Sequence, residues 1–155
     1  MLMITRTCLP EWMDFNGHMR DAYYVLCVSS ANDKMHEELG VGPTYQQSTG
    51  FSVYNLDTRV RYLKEGREGD PIEVRMRIMD YDAKRHHTHS QLVHAETGDL
   101  LAVVEAVLCH VDQSIPAAVP YPAEAQARLA AKMAEDAGTD PGPRTGGVGL
   151  RKDTT

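Results

Sequence analysis

The stretch 11-EWMDFNGHMRDAYYVL-26 places Asp14, Asn16 and His18 within five positions, immediately ahead of a strongly helical run. A carboxylate, an amide and an imidazole at that spacing allow two readings. One is a helix cap or an Asx-turn, in which short polar side chains satisfy free backbone donors. The other is an active site, in which the carboxylate is the base or nucleophile and its neighbours orient it. A lone Asp before a helix is most often a cap. Three such residues together exceed what a cap requires.

The elements around the stretch decide what could hold it in place. Residues 2–9 read as a short strand ending at Pro10. From Ala22 to Leu39, Tyr24, Val28, Ala31, Met35 and Leu39 recur at steps of three and four, which predicts a helix with one apolar face. Tyr23, Val25, Leu26 and Cys27 make its first half apolar all round, so that half is expected to be buried. Gly40, followed by Gly42-Pro43, is a stop signal. Residues 40–50 read as a loop.

Beyond it the chain is β-like to about residue 113. Tyr54, Leu56, Val60 and Tyr62 alternate with polar residues, as do Ile72, Val74, Met76 and Ile78. Each set predicts a strand with one wet face. The segment 64-KEGREGD-70 joins these two strands, and 96-ETGD-99 joins a strand at 84–95 to the nearly all-apolar 100-LLAVVEAVLCHVD-112. Residues 122–138 carry a thin amphipathic helix with Ala125, Leu129 and Met133 on one side, and 139–155, rich in Gly, Pro and charge, is expected to be a disordered tail. One strand, a long apolar helix and four antiparallel strands predict a single α+β domain over residues 1–121. In it a curved antiparallel sheet wraps a central helix, the hotdog architecture.

The chain's 155 residues, 42% hydrophobic and 25% charged, suit one soluble domain with a real core. Its formal charge of −6 argues against a nucleic-acid partner. No apolar run approaches the roughly 20 residues that cross a bilayer. Nor does the N-terminal segment read as a signal peptide, which makes the cytoplasm the expected compartment. Cys8, Cys27 and Cys109 show no metal or disulfide spacing and are expected to be packing residues.

With these elements in place, the opening stretch resembles the acyl-CoA thioesterases of the hotdog superfamily, the 4-hydroxybenzoyl-CoA thioesterase-like branch. That signature has an Asp in a loop, a Gly-His pair just after it and a Tyr further on, here Asp14, Gly17-His18 and Tyr24. Many relatives carry Asn where this chain has Asp21. An acidic residue there, within W-x-D-x-N-G-H-M, resembles the betainyl-CoA thioesterases of carnitine catabolism. The segments 61-RYLKEGREGD-70 and 97-TGDLLAVVEAVLCHVD-112 fit that group too.

The resemblance implies hydrolysis of a short-chain acyl-CoA, without cofactor or metal, in a homodimer or homotetramer whose sites lie at a subunit interface. Asp14 would attack the thioester or act as base on water. Asn16 and His18 would orient Asp14, the water or the thioester oxygen, or else hold the loop. Backbone N–H groups within residues 17–24 would hold the oxyanion. Gly17 reads as a point of close approach. Asp21 is a helix cap, a second carboxylate or a counter-charge for a cationic acyl group, the cap being the simplest. Tyr24 and Trp12 would line the acyl site, where Trp12, Tyr45 or Tyr54 could face a trimethylammonium group. Arg61, with Arg59, Lys64, Arg67, Lys84 and Arg85, would be offered to the CoA phosphates.

Two clusters stand apart. His87 and His89 share a strand face within 86-HHTHSQLVH-94 without a third ligand fixed by spacing, so they are not read as a zinc site. Glu105, alone in an apolar strand, requires a partner, a function or an edge. Two competing functions remain: a non-catalytic acyl-CoA-binding hotdog protein, and an enoyl-CoA hydratase, whose D-x-N-x-x-H spacing this chain misses by one residue.

Overall fold

A computed structural model describes residues 1–150. The strands are β1 (Leu2–Thr7), β2 (Phe51–Tyr62), β3 (Pro71–Tyr81), β4 (Arg85–His94), β5 (Leu100–Asp112) and the short β6 (Ala117–Ala118). The helices are α1 (Asp21–Leu39), α2 (Pro43–Thr49) and α3 (Ala123–Glu135), with a 3-10 turn at Pro10–Trp12. The sheet is antiparallel in the order β1-β3-β4-β5-β2, with β6 on β5.

Helix α1 buries Tyr24, Cys27, Val28, Ala31, Met35 and Leu39, the stripe that its spacing predicts. Opposite it lie Ile72, Val74, Met76 and Ile78 of β3, together with Leu92, Ala102 and Val104. Ala125 and Leu129 of α3 complete the core, while Met133 stays partly exposed. This is the hotdog arrangement, a long helix buried against one face of an antiparallel sheet.

Several local expectations are corrected. The 40–50 loop contains α2. Pro43 starts it with a pre-set φ, the Glu37 carboxylate accepts from Thr44 N (2.9 Å) and Oγ1 (3.0 Å), and Gly50 ends it at φ +76°. The first half of α1 is not buried all round, since Leu26 is 47% exposed. In β2 the apolar alternation does not produce a buried face, because Tyr54, Leu56 and Tyr62 stand at an open edge. A register shift between Asn55 and Asp57 also breaks the alternation there.

The largest departure is the tail. Residues 139–150, expected to be disordered, instead cross the sheet on the face away from α1. Arg77 Nη1 donates to Thr139 Oγ1, Gln91 Nε2 to the Pro141 carbonyl, and Arg59 Nη1 to the Gly146 carbonyl, at 2.8–3.1 Å. Between these, Glu105 accepts from Arg144 Nε and from the N–H and hydroxyl of Thr145, at 2.6–2.7 Å. The unpaired glutamate of β5 therefore finds its partners in the tail, which explains why that strand is buried on both faces. The remaining part of the expected tail, residues 151–155, lies outside the described residues.

Candidate active site

The loop from Met13 to Met19 closes on itself. Met13 and Met19 form an isolated bridge, Asp14 N–H donates to the His18 carbonyl at 2.8 Å, and Gly17 N–H returns to the Asp14 carbonyl at 3.1 Å. Gly17 sits at φ +75° with nothing within 4 Å of where a Cβ would stand, so within this chain the turn itself calls for glycine.

The Asp14 carboxylate is held inside this turn. Its Oδ1 accepts from Asn16 N–H at 2.7 Å and from His18 N–H at 3.1 Å, while Asn16 Nδ2 approaches Oδ2 at 3.4 Å. The His18 amide, aided by Asn16, holds the carboxyl below its ordinary value. Asp14 is therefore ionised at neutral pH and presents its less engaged oxygen, Oδ2, for chemistry. The polar crowding of the stretch is thus one unit, in which backbone donors orient a carboxylate.

Helix α1 begins beside this loop. Arg20 occupies the N-cap position in extended backbone, and Asp21 is the first helical residue, which corrects the reading of Asp21 as the cap. Its carboxylate accepts the neighbouring Ala22 N–H at 2.9 Å. Most amides expected to hold an oxyanion are already engaged. Met19 N–H donates to the Gly66 carbonyl, Arg20 N–H to Trp12 and Tyr23 N–H to Arg20, at 2.7–3.0 Å. The Asp21 N–H is the first donor of the helix and has no acceptor within it by position.

An open cavity of about 340 Å³ lies against this corner, with Asp14, His18, Asp21 and Tyr24 in its wall. Tyr62, Leu63, Lys64 and Glu65, from the end of β2 and the turn after it, complete that wall together with Met19. Tyr24 joins the two halves: its hydroxyl accepts Gly66 N–H at 2.9 Å and donates to the Lys64 carbonyl at 3.3 Å. Its ring meets Tyr62 edge-on at 5.3 Å, and the Tyr62 hydroxyl donates to the Asp21 carbonyl at 3.3 Å.

Two residues expected at the site are not brought to this cavity. Trp12 is buried and stacked on Tyr23 at 5.1 Å, so its faces belong to the core. Arg61 follows the strand alternation and points away from the face that Tyr62 presents. Tyr62 and Glu65 are the polar wall residues that sequence reasoning did not single out for the site. They lie about fifty positions from Asp14, and no local spacing links them to it.

The histidines of β4 have separate partners. His86 pairs with the Tyr121 hydroxyl (2.7 Å), His89 with the Pro143 carbonyl (2.9 Å) and His87 with Glu105 (3.2 Å). Among the described residues no group of three or more His, Cys, Asp or Glu is arranged to hold a metal. The three cysteines are buried and free. No helix among the described residues is long and apolar enough to cross a membrane.

The long helix buried against an antiparallel sheet defines the fold, a hotdog, and the family match makes the chain an enzyme that hydrolyses a thioester. The model of the thioesterase-like superfamily matches residues 8–129, and the chain belongs to that family. Over 123 residues it is 38% identical to the betainyl-CoA thioesterase of Pseudomonas aeruginosa, covering 79% of this chain and 77% of that protein. It is 31% identical to an L-carnitine dehydrogenase/betainyl-CoA thioesterase of Agrobacterium fabrum, covering 90% of this chain but only 28% of that longer protein. Among solved structures, a Staphylococcus aureus protein in complex with CoA superposes at TM-score 0.86, with 24% identity and 97% and 94% of the two chains covered. A putative thioesterase of Pseudomonas putida superposes at 0.81, with 27% identity and 97% and 96% covered.

Proposed function

We propose that this thioesterase hydrolyses betainyl-CoA to betaine and CoA, in a homodimer. The observation that carries the acyl assignment is the charge of the cavity wall. Asp14, Asp21 and Glu65 contribute carboxylates, while the ammonium of the wall lysine, Lys64, is taken up by Asp99 at 2.5 Å. A trimethylammonium group has no N–H to donate, so only negative charge and aromatic faces can recognise it. Tyr62, 48% exposed and set edge-on to the buried ring of Tyr24, supplies an aromatic face.

In the reaction the thioester carbonyl lies between Asp14 and the start of α1. The Asp14 carboxylate attacks the carbonyl carbon, or removes a proton from a water that does so, and the Asp21 N–H stabilises the oxygen as it becomes negative. The first route passes through a mixed anhydride on Asp14, and CoA leaves as the thiolate. One turnover in heavy-oxygen water separates the routes, because hydrolysis of an anhydride at its enzyme-derived carbonyl leaves the label in Asp14, whereas the base route labels only the product.

The dimer reading rests on the open edge of the sheet. Strand β2 lies at that edge, carries exposed Tyr54 and Leu56, and ends in Tyr62 at the cavity. Pairing two such strands about a two-fold axis removes the edge hazard and encloses the two cavities further.

The deciding experiment is thiol release from a panel of acyl-CoAs, with Asp14→Ala as control. Betainyl-CoA is expected to be turned over fastest. If no acyl-CoA releases thiol, the chain is an acyl-CoA-binding protein instead.

A further inference from the structure

Among the described residues that line the acyl cavity, Lys64 is the only lysine or arginine, so the position of its ammonium decides the charge of the wall. Its backbone is pinned. Leu63 and Lys64 both donate their N–H to the Leu101 carbonyl, at 2.9 and 3.0 Å, and Tyr24 donates to the Lys64 carbonyl. Only the side chain retains a choice of direction. It turns toward the hairpin between β4 and β5, where Nζ meets Asp99 Oδ1 at 2.5 Å.

Asp99 is itself fixed in that hairpin. Thr97 Oγ1 donates to Asp99 Oδ2 at 3.1 Å and receives the Asp99 N–H at 3.3 Å, and the Asp99 carbonyl accepts from His94 N–H at 2.8 Å. Gly98 allows the turn at φ +75°. Lys64 and Asp99 are both about half exposed, so the pair itself adds little stability. Its consequence is where the positive charge rests. Released from Asp99, the ammonium would be free to turn toward the cavity that Asp21 and Glu65 also line, and to offset the field that a cationic acyl group meets.

We propose that Asp99 is a positioning residue for substrate charge: by holding the Lys64 ammonium at the β4–β5 turn it keeps the acyl site negative and selects a cationic acyl group over a neutral one of the same shape. This rests on the reading of the substrate as betainyl-CoA. Asp99 does not touch the substrate and acts through Lys64.

The test uses betainyl-CoA and 3,3-dimethylbutyryl-CoA, in which carbon replaces the quaternary nitrogen, so the two acyl groups differ in charge and hardly in shape. The ratio of their kcat/KM values is measured for the full chain and for Asp99→Asn, Lys64→Met and the double variant. Asp99→Asn is expected to lower the ratio by about fivefold to tenfold, the scale of moving one charge by several ångströms near a surface. The double variant is expected to restore it, and about 0.5 M salt to compress all the differences. A ratio that Asp99→Asn leaves unmoved, an equal loss on both substrates, or no recovery in the double variant overturns the role of Asp99 while leaving the substrate reading in place. If the unmodified chain shows no preference for the cationic substrate, both readings fall.

Discussion

The Gly66 N–H donates to the hydroxyl of Tyr24 at 2.9 Å, a bond that ties the turn after β2 to the first turns of α1 across 42 positions of sequence. Through it the wall formed by Tyr62, Lys64 and Glu65 is registered against the loop that carries Asp14. Tyr24→Phe keeps the ring and removes the hydroxyl, leaving the Gly66 amide without its acceptor. The expected cost is about 1–3 kcal/mol of stability, read from urea unfolding, with a fall in kcat/KM as the wall loosens. Unchanged stability together with unchanged kcat/KM would mean that the turn is held by other means.

Asp14→Ala should fold, because the side chain lies in an exposed turn, and lose at least about 100-fold in kcat, the scale of removing a catalytic acid or base. Circular dichroism and a thiol-release assay measure the two together. A rate within a few-fold of the original sinks the assignment.

The acid limb of the rate follows from the direction of the Asp14 shift. The amides of His18 and Asn16 hold this carboxyl below its ordinary value of 3.8, so the ionised form survives as pH falls and is lost only through the lowered pKa. Activity that depends on ionised Asp14 should therefore have its acid limb below the usual carboxylate range. A limb near neutrality would assign the essential ionisation to another group.

Glu105 latches the C-terminal segment to the sheet. Burial alone would raise its pKa, but the bonds from Thr145 and Arg144 outweigh this and hold the carboxyl below its usual value. The latch should thus hold at neutral pH and weaken only in acid, as pH falls through that lowered value. Glu105→Gln is expected to cost about 1–3 kcal/mol, read from the urea midpoint, and to make the bond after Arg144 accessible to trypsin. Full resistance to trypsin in the variant would show that other contacts keep the segment in place.

Leu56 is 59% exposed at the register shift of the edge strand. Leu56→Lys places a charge where two β2 strands would pair. Sedimentation is expected to show a monomer with reduced thioesterase activity. A variant that stays dimeric and fully active would place the interface elsewhere.

How much of this was legible in the sequence depends on the distance over which each feature is specified. The α1 stripe from Tyr24 to Leu39, its stop at Gly40 and the alternation in β3 are local patterns, and they appear where the spacing puts them. The same holds for Asp14, Asn16 and His18, since one turn encodes them all. Helix α2 was missed because its cap is the side chain of Glu37, which belongs to another element. The tail was misread because Gly and Pro content reports a weak local preference, and Glu105 supplies the missing partner from β5. A buried glutamate in an apolar strand did signal that some partner was needed, but nothing in its surroundings pointed to Arg144 and Thr145.

By itself the sequence determined the fold class and the polar loop from Asp14 to His18, because periodicity and close spacing constrain the backbone within a few residues, and its resemblance to the thioesterases implied the kind of chemistry. Only the tertiary structure decided which residues face Asp14 across the cavity. It put Trp12 in the core and Tyr62 and Glu65 in the wall, with Lys64 turned toward Asp99. The physical reason is strand pairing. The register of β2 on β5 and the turn at 96–99 set which side chains meet, and that register is fixed by hydrogen bonds between residues far apart in the chain.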